Sequence, residues 1–295
     1  MQKMNFLKKV FLISLERCSK WIKSDELFIQ IEYYLRMGKQ LRLNPPITFN
    51  EKLQWLKLHG NKEEYTQLVD KYEVKKFVAN LIGEEYIIPT LGVWECFEDI
   101  DFNQLPNQFV LKCTHDSGTF VICKDKTTLD INAAREKINK RLSYNYYYAH
   151  REKPYKNVKP RIIAEQYMVD ESGTELKDYK FFCFNGDVKM LFIATDRGKE
   201  NEEVKFDFFD TNFTHLPFVQ GHPNSTKLLH KPIDFEKMIK IASELSLNIP
   251  HVRIDLYNIN GKVYFGEYTF FHFAGIVPFN PEEWDYTIGK WIKCI

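Results

Sequence analysis

The chain has 295 residues, 44% hydrophobic and 15% aromatic, which is enough for a sizeable core and two subdomains and excludes a disordered or fibrous protein. Lys+Arg 41 against Asp+Glu 40 leaves a formal charge of +1, so no global field points to nucleic acid or an acidic partner, and recognition must be local. Cys18, Cys96, Cys113, Cys123, Cys183 and Cys294 are scattered without CxxC spacing, which reads as buried thiols in a reducing cytoplasm rather than disulfides or a zinc site.

At the amino terminus Phe6, Leu7, Val10, Phe11, Ile13 and Leu15 interleave with Lys8, Lys9, Glu16, Arg17 and Lys20. The apolar run is too short and too interrupted to span a bilayer, and no small-residue cleavage site follows. It reads as an amphipathic helix. Docking on the body of the protein is the expectation, with a basic, membrane-surface or envelope-partner helix as the alternative. Helices continue from Asp25 to Gly60, broken at Pro45-Pro46 and restarted by a Thr48 or Asn50 cap before Leu53. Residues 1–60 are thus expected to form a helical region ahead of a larger domain over 61–295.

In that domain Val74, Phe77, Val78 and Leu81 form a helical stripe ended by Gly83, and Leu91 to Trp94 is extended. Phe109–Cys113 and Phe120–Lys124 alternate as strands around a loop of Thr114, His115, Asp116, Ser117, Gly118 and Thr119. Such a loop can present N–H groups and hydroxyls to phosphate oxygens, with Lys112 and Lys124 supplying charge, provided that Asp116 faces away. A plain polar hairpin tip is the other reading. A helix over Asn132–Leu142 leads into an aromatic and basic tract from Tyr144 to Pro160, which fits packed loop residues better than a sugar or nucleic-acid surface.

Arg161–Tyr167 is a strand with Glu165 near its end, and the residues from Asp178 to Asp196 give two strands about an Asn185-Gly186 turn. Lys180 lies inside the first of these, where its ammonium must either reach water or meet an anion. A further strand and turn precede a helix over Asp234–Leu245 that turns Met238, Ile241, Ala242 and Leu245 inward, and the residues after Pro281 read as a closing helix.

The most informative stretch runs from Pro250 to Phe270, two strands about Asn260-Gly261. On the first, Arg253, Asp255 and Tyr257 share a face opposite Val252, Ile254 and Leu256. A two-residue turn would pair Asp255 with Gly266 and send Glu267 to the other side. A three-residue loop with a bulge at Gly261 would set Asp255 across from Phe265 and Glu267 opposite Arg253. In the second case two carboxylates and a guanidinium converge, a pattern that suits a hard divalent cation. An ordinary hairpin with solvated charges remains open on these residues alone.

In this order the segments resemble the TupA-like ATP-grasp family, linked to teichuronopeptide and other bacterial surface-polysaccharide synthesis. The residues that carry the resemblance are Asp70-Lys71 opening a helix, FVLKCTHDSG at 109–118, AEQY at 164–167, DYKFFCFNG at 178–186 and RIDLYNINGKVYFGEYTF at 253–270. It implies an α+β ATP-grasp fold, two α/β subdomains with antiparallel sheets gripping a nucleotide and a hinge near 165–168. For the site it implies Lys112, Thr114, His115, Ser117, Gly118 and Lys124 at the phosphates, and Glu165, Gln166, Tyr167 and Met168 at adenine. Asp178 matches a ribose-binding acid. Asp255, Glu267 and Thr269 match the Mg²⁺ ligands, with Thr269 where many relatives carry Asn, and Arg253 and Lys180 face the transferring group. The implied chemistry is ATP- and Mg²⁺-dependent joining of a small-molecule or glycan carboxylate to an amine through an acylphosphate. Two other classes stay open: a capsule-type glycosyltransferase, for which no convincing DxD motif follows a strand, and a non-catalytic nucleotide- or sugar-binding partner in an envelope complex.

Overall fold

The computed structural model describes residues 6–170, 176–196 and 203–293. Helices α1 (Phe6–Cys18) and α2 (Asp25–Met37) pack on one another. Ser24 caps α2 by accepting the Leu27 N–H at 3.2 Å, and Gly38, in the left-handed region, ends it. Only Leu12 and Leu15 of α1 are buried, so Phe6, Leu7, Val10, Phe11 and Ile13 stay exposed. The helix docks by a narrow stripe. No helix among the described residues is long and apolar enough to cross a membrane.

Helix α3 (Phe49–His59) begins with a capping box in which Thr48 and Glu51 satisfy each other's backbone N–H groups. Its Phe49, Leu53 and Leu56 enter the main core, so this helix is part of the larger body of the fold. Helices α4 (Tyr65–Val69) and α5 (Glu73–Ile82) follow. Of the expected α5 stripe, Val74 and Val78 are buried, while Phe77 and Leu81 sit at the surface.

Two antiparallel sheets carry the rest. The smaller is built from β1 (Thr90–Trp94), β2 (Phe109–Cys113) and β3 (Phe120–Cys123), then, after α6 (Ile131–Leu142) and the short α7 (Tyr147–His150), β4 (Ile162–Gln166). Its order is β1-β4-β2-β3. Ala134 and Ile138 of α6 pack on Leu111, Ile162 and Ala164, which gives this sheet its own core. The larger sheet takes β5 (Asp178–Phe184), β6 (Asp187–Thr195) and β7 (Lys205–Asp210). After β8 (Val219–Gln220) and α8 (Phe235–Leu245) it adds β9 (Val252–Ile259) and β10 (Lys262–Thr269), in the order β10-β9-β5-β6-β7.

All seven residues of β5 are buried because α8 covers one face of the sheet and the α3 region the other. The aromatic run Phe181-Phe182 therefore reads as continuous rather than alternating. A two-stranded ribbon pairs β8 with β11 (Phe279–Asn280), and α9 (Glu283–Gly289) closes against α3. The sheets meet where Ile87 bridges Phe265 of β10, and between them lies a cavity. Of the cysteines, Cys113, Cys123 and Cys183 are buried thiols, Cys18 and Cys96 are exposed, and Cys294 lies outside the described residues.

Candidate active site

The β9–β10 hairpin brings Asp255 and Glu267 together, but by a different route from the one expected. Ile259 pairs with Lys262, so the turn is the two-residue type, with Asn260 at φ 52° and Gly261 at φ 83°. The extra residue is Gly266. Phe265 faces Leu256 and Glu267 faces Asp255, so a bulge at Gly266 shifts the parity that the turn alone would have given. A Cβ there would lie 2.9 Å from the Asp255 carbonyl oxygen, which accounts for glycine. Thr269, rather than Glu267, stands opposite Arg253.

Arg253 is tied down on every side. It forks onto Asp255, with Nε 2.6 Å from Oδ1 and Nη2 2.8 Å from Oδ2. It also donates to Thr269 Oγ1 at 3.0 Å and to His272 Nδ1 at 2.7 Å. His272 in turn sits 3.1 Å from Gln220 Oε1. Burial pushes the His272 imidazole well below its usual range, so as a neutral ring it accepts a hydrogen bond from the arginine. Lys180 meets an anion, as its burial demanded, and that anion belongs to the protein: the ammonium bonds Asp255 and lies 3.2 Å from Asp178. Burial opposes ionisation of Asp255, yet Arg253 and Lys180 outweigh it and hold the carboxyl below its usual range.

The cavity between the sheets has a volume of about 350 Å³. Phe120, Ile122, Ile87, Ile88 and Phe265 give it an apolar floor, and five lysines (Lys71, Lys75, Lys112, Lys124, Lys180) face three carboxylates (Glu165, Asp178, Glu267). Gly118, Gln166, Tyr167 and Met168 also line it. Glu165 lies between Lys112 and Lys75, at 2.5 Å from each. Burial disfavours its charge, but the two ammoniums prevail and bring its carboxyl down to about 2.

The loop after β2 corrects part of the sequence reading. Thr114 and His115 are turned into the core rather than toward phosphate. Thr114 donates to the Lys159 carbonyl at 3.2 Å, and His115 Nε2 donates to the Arg141 carbonyl at 3.1 Å. Asp116 faces away from the cavity, forked by Arg141. Only the tip opens: Gly118 and Thr119 reach the first cavity and Ser117 a second one. Lys71, in the turn before α5, and Lys75, in its first turn, were missed as cavity residues.

The second cavity, of about 370 Å³, lies beyond Glu267, which lines both. Arg253, Thr269, Tyr146, Tyr155, His150 and Glu152 contribute to its wall. Glu152 had no signal in the sequence. Among the described residues no three His, Cys, Asp or Glu side chains form a metal cage. The donor chemistry nevertheless fits a hard divalent ion that draws its other ligands from phosphate: Asp255 and Glu267 are cross-strand neighbours, and the Glu267 side chain is 37% exposed.

The sequence model described as TupA-like ATPgrasp matches residues 51–293. The chain belongs to the TupA-like ATP-grasp family. Its two antiparallel sheets with the cavity between them are the ATP-grasp fold. No curated protein matches this ATP-grasp chain significantly in sequence. Among solved structures it is similar to D-alanine–D-alanine ligase from Bacillus anthracis complexed with ATP, at 14% identity and a TM-score of 0.42 over 77% of this chain and 60% of that one. It is also similar to L-amino acid ligase from Bacillus licheniformis, at 11% identity and a TM-score of 0.47 over 91% of this chain and 56% of that one. The chain thus spans little more than half the length of these two ligases.

Proposed function

We propose that the protein is an ATP- and Mg²⁺-dependent carboxylate–amine ligase that modifies a uronic acid or an amino acid in bacterial surface-polysaccharide synthesis. The observation that carries this reading is the position of Glu267 on the wall shared by a lysine-lined cavity and a second, aromatic-lined one. In it the nucleotide lies in the first cavity, with Lys71, Lys75, Lys112 and Lys124 neutralising phosphate charge and Gln166 to Met168 beside the base. The Gly118 tip, where a Cβ would meet nothing within 4 Å, leaves room for phosphate to approach the backbone. Asp255, Glu267 and Thr269 would hold Mg²⁺, which when bound offsets charge on the phosphates. Lys180 and Arg253 stand at the junction and stabilise the anionic carboxylate and phosphoryl group as they react.

The carboxylate oxygen attacks the γ phosphorus, ADP leaves, and an amine then displaces phosphate from the acylphosphate to form an amide. The protein supplies position and charge rather than covalent chemistry. The test is to incubate the chain with ATP, Mg²⁺ and panels of uronic acids and amino acids while following ADP, phosphate and UDP. ADP and phosphate formed only when both a carboxylate and an amine are present is the expected result. UDP released from a nucleotide sugar would favour a glycosyltransferase, and release of neither a binding protein. Glu267→Gln should lower Mg²⁺-dependent turnover at least roughly a hundredfold with the fold intact; undiminished turnover removes the metal assignment.

A further inference from the structure

The second cavity contains a charge that the fold leaves open. Glu152 is 4% exposed and lines this cavity, and among the described residues its carboxylate has neither a hydrogen-bond donor nor an ion-pair partner. Every other charged group facing it is already engaged. Glu32 of α2 is held by His150 at 2.8 Å and Arg36 at 3.4 Å. Lys57 of α3 donates a hydrogen bond to the Ala274 carbonyl at 2.8 Å, and Arg253 of β9 is forked onto Asp255. A buried carboxylate without donors is costly unless a ligand brings them.

An anionic ligand would meet Arg36 and Arg253 already paired, with Glu16 and Glu32 and with Asp255, and would face Glu152 and Glu267. An ammonium finds the reverse: an open carboxylate, and the rings of Tyr146 and Tyr155, whose centroids lie 4.8 Å apart, as cation-attracting faces. We propose that the second cavity takes the amine substrate as its ammonium, which Glu152 binds and deprotonates for attack on the acyl carbon. The catalytic part rests on the ligase reading given above; the ammonium-binding part does not.

The atoms balance. R–NH₃⁺ gives one proton to the Glu152 carboxylate, leaving R–NH₂ and a neutral carboxyl. The nitrogen lone pair forms the C–N bond, the acyl C–O bond to phosphorus breaks with its electron pair on the departing phosphate, and the second N–H proton leaves with that phosphate. Burial lifts the Glu152 carboxyl to about 7, with Lys57 and His150 pulling it down and Glu32 pushing it up. That lies close to an α-amino group, ordinarily about 8, so the transfer is nearly balanced in energy.

The test uses the full chain and three probes of like shape: benzylamine, benzyl alcohol and benzoate, each titrated by calorimetry with and without MgADP at about pH 6 and about pH 8. Wild type should prefer benzylamine, and more so at the higher pH, where Glu152 is ionised. Glu152→Gln should weaken benzylamine at least roughly tenfold, flatten its pH dependence and leave benzyl alcohol and MgADP affinities unchanged. Equal benzylamine affinity in the two proteins, or a wild-type preference for benzoate, overturns the proposal. Failure of MgADP to bind wild type would instead remove the nucleotide reading, with the probe preference still deciding the amine site.

Discussion

Two glutamates lie buried on opposite sides of Glu267, and the fold treats them in opposite ways. Glu165 is clasped by Lys75 and Lys112, which hold its carboxyl down at about 2, whereas Glu152 has no ion-pair partner among the described residues and burial lifts its carboxyl to about 7. The first is a charge satisfied by its own chain. The second is a charge left for something else to satisfy. Burial alone therefore does not tell these two glutamates apart; the presence or absence of a partner inside the fold does.

The largest expected effect breaks the satisfied side. Glu165→Gln leaves Lys75 and Lys112 facing one another across a neutral amide, at the cost of a half-broken buried ion pair, on the order of 4 kcal/mol. Urea denaturation should show this as a lower midpoint with an unchanged slope. The wild-type contribution carries a pH signature. Because the folded pKa of about 2 lies below the unfolded value, the stabilisation is complete above about pH 4.3 and is lost as pH falls toward the folded pKa. The gap between wild type and variant should close over that window. An unshifted midpoint would mean that the two lysines do not depend on Glu165.

The next effect has the opposite sign. The Glu152 pKa is raised, so the folded state binds the proton more tightly than the unfolded chain does. Its contribution is fully present below about pH 4.3 and is lost as pH rises through about 7. Glu152→Gln should thus match wild type near pH 4 and exceed it by roughly 2 to 3 kcal/mol near pH 8, read as a higher urea midpoint. A substitution that stabilises the empty fold while weakening ligand binding is the expected mark of a site residue. Equal midpoints at the higher pH would place Glu152 with Glu165 as a satisfied charge.

The sequence made one side of this contrast far more legible than the other. Alternation along Val252 to Tyr257, the Asn185-Gly186 and Asn260-Gly261 turns and the Thr48–Glu51 box are local patterns, and each stands where its pattern put it. Thr114 and His115 looked like phosphate-loop residues because their types suit that work. Their inward turn depends on the carbonyls of Lys159 and Arg141, which lie far along the chain. The isolation of Glu152 is less legible still, since it requires Glu32, Lys57, His150 and Arg253 all to be engaged elsewhere. No local pattern encodes what four separate elements leave unpaired. The bulge belongs to the same class, because Gly266 becomes an extra residue only through its register with β9.

That bulge offers the smallest expected effect and the finest separation of the two cavities. Gly266 lines the first cavity and not the second, while its neighbour Glu267 borders both. In Gly266→Ala the new methyl would meet the Asp255 carbonyl oxygen at 2.9 Å and the Tyr257 ring at 3.2 Å, and backbone oxygen yields less readily than a side chain. The strand must ease outward, at a cost of about 1 kcal/mol in the urea midpoint. The displacement moves Glu267 relative to Asp255, so MgADP affinity should fall severalfold. Benzylamine affinity should hardly change, because Glu152 sits on a different segment. Equal losses for both ligands would mean that the cavities respond as one body, and the division drawn between Glu165 and Glu152 would then describe two walls of a single site.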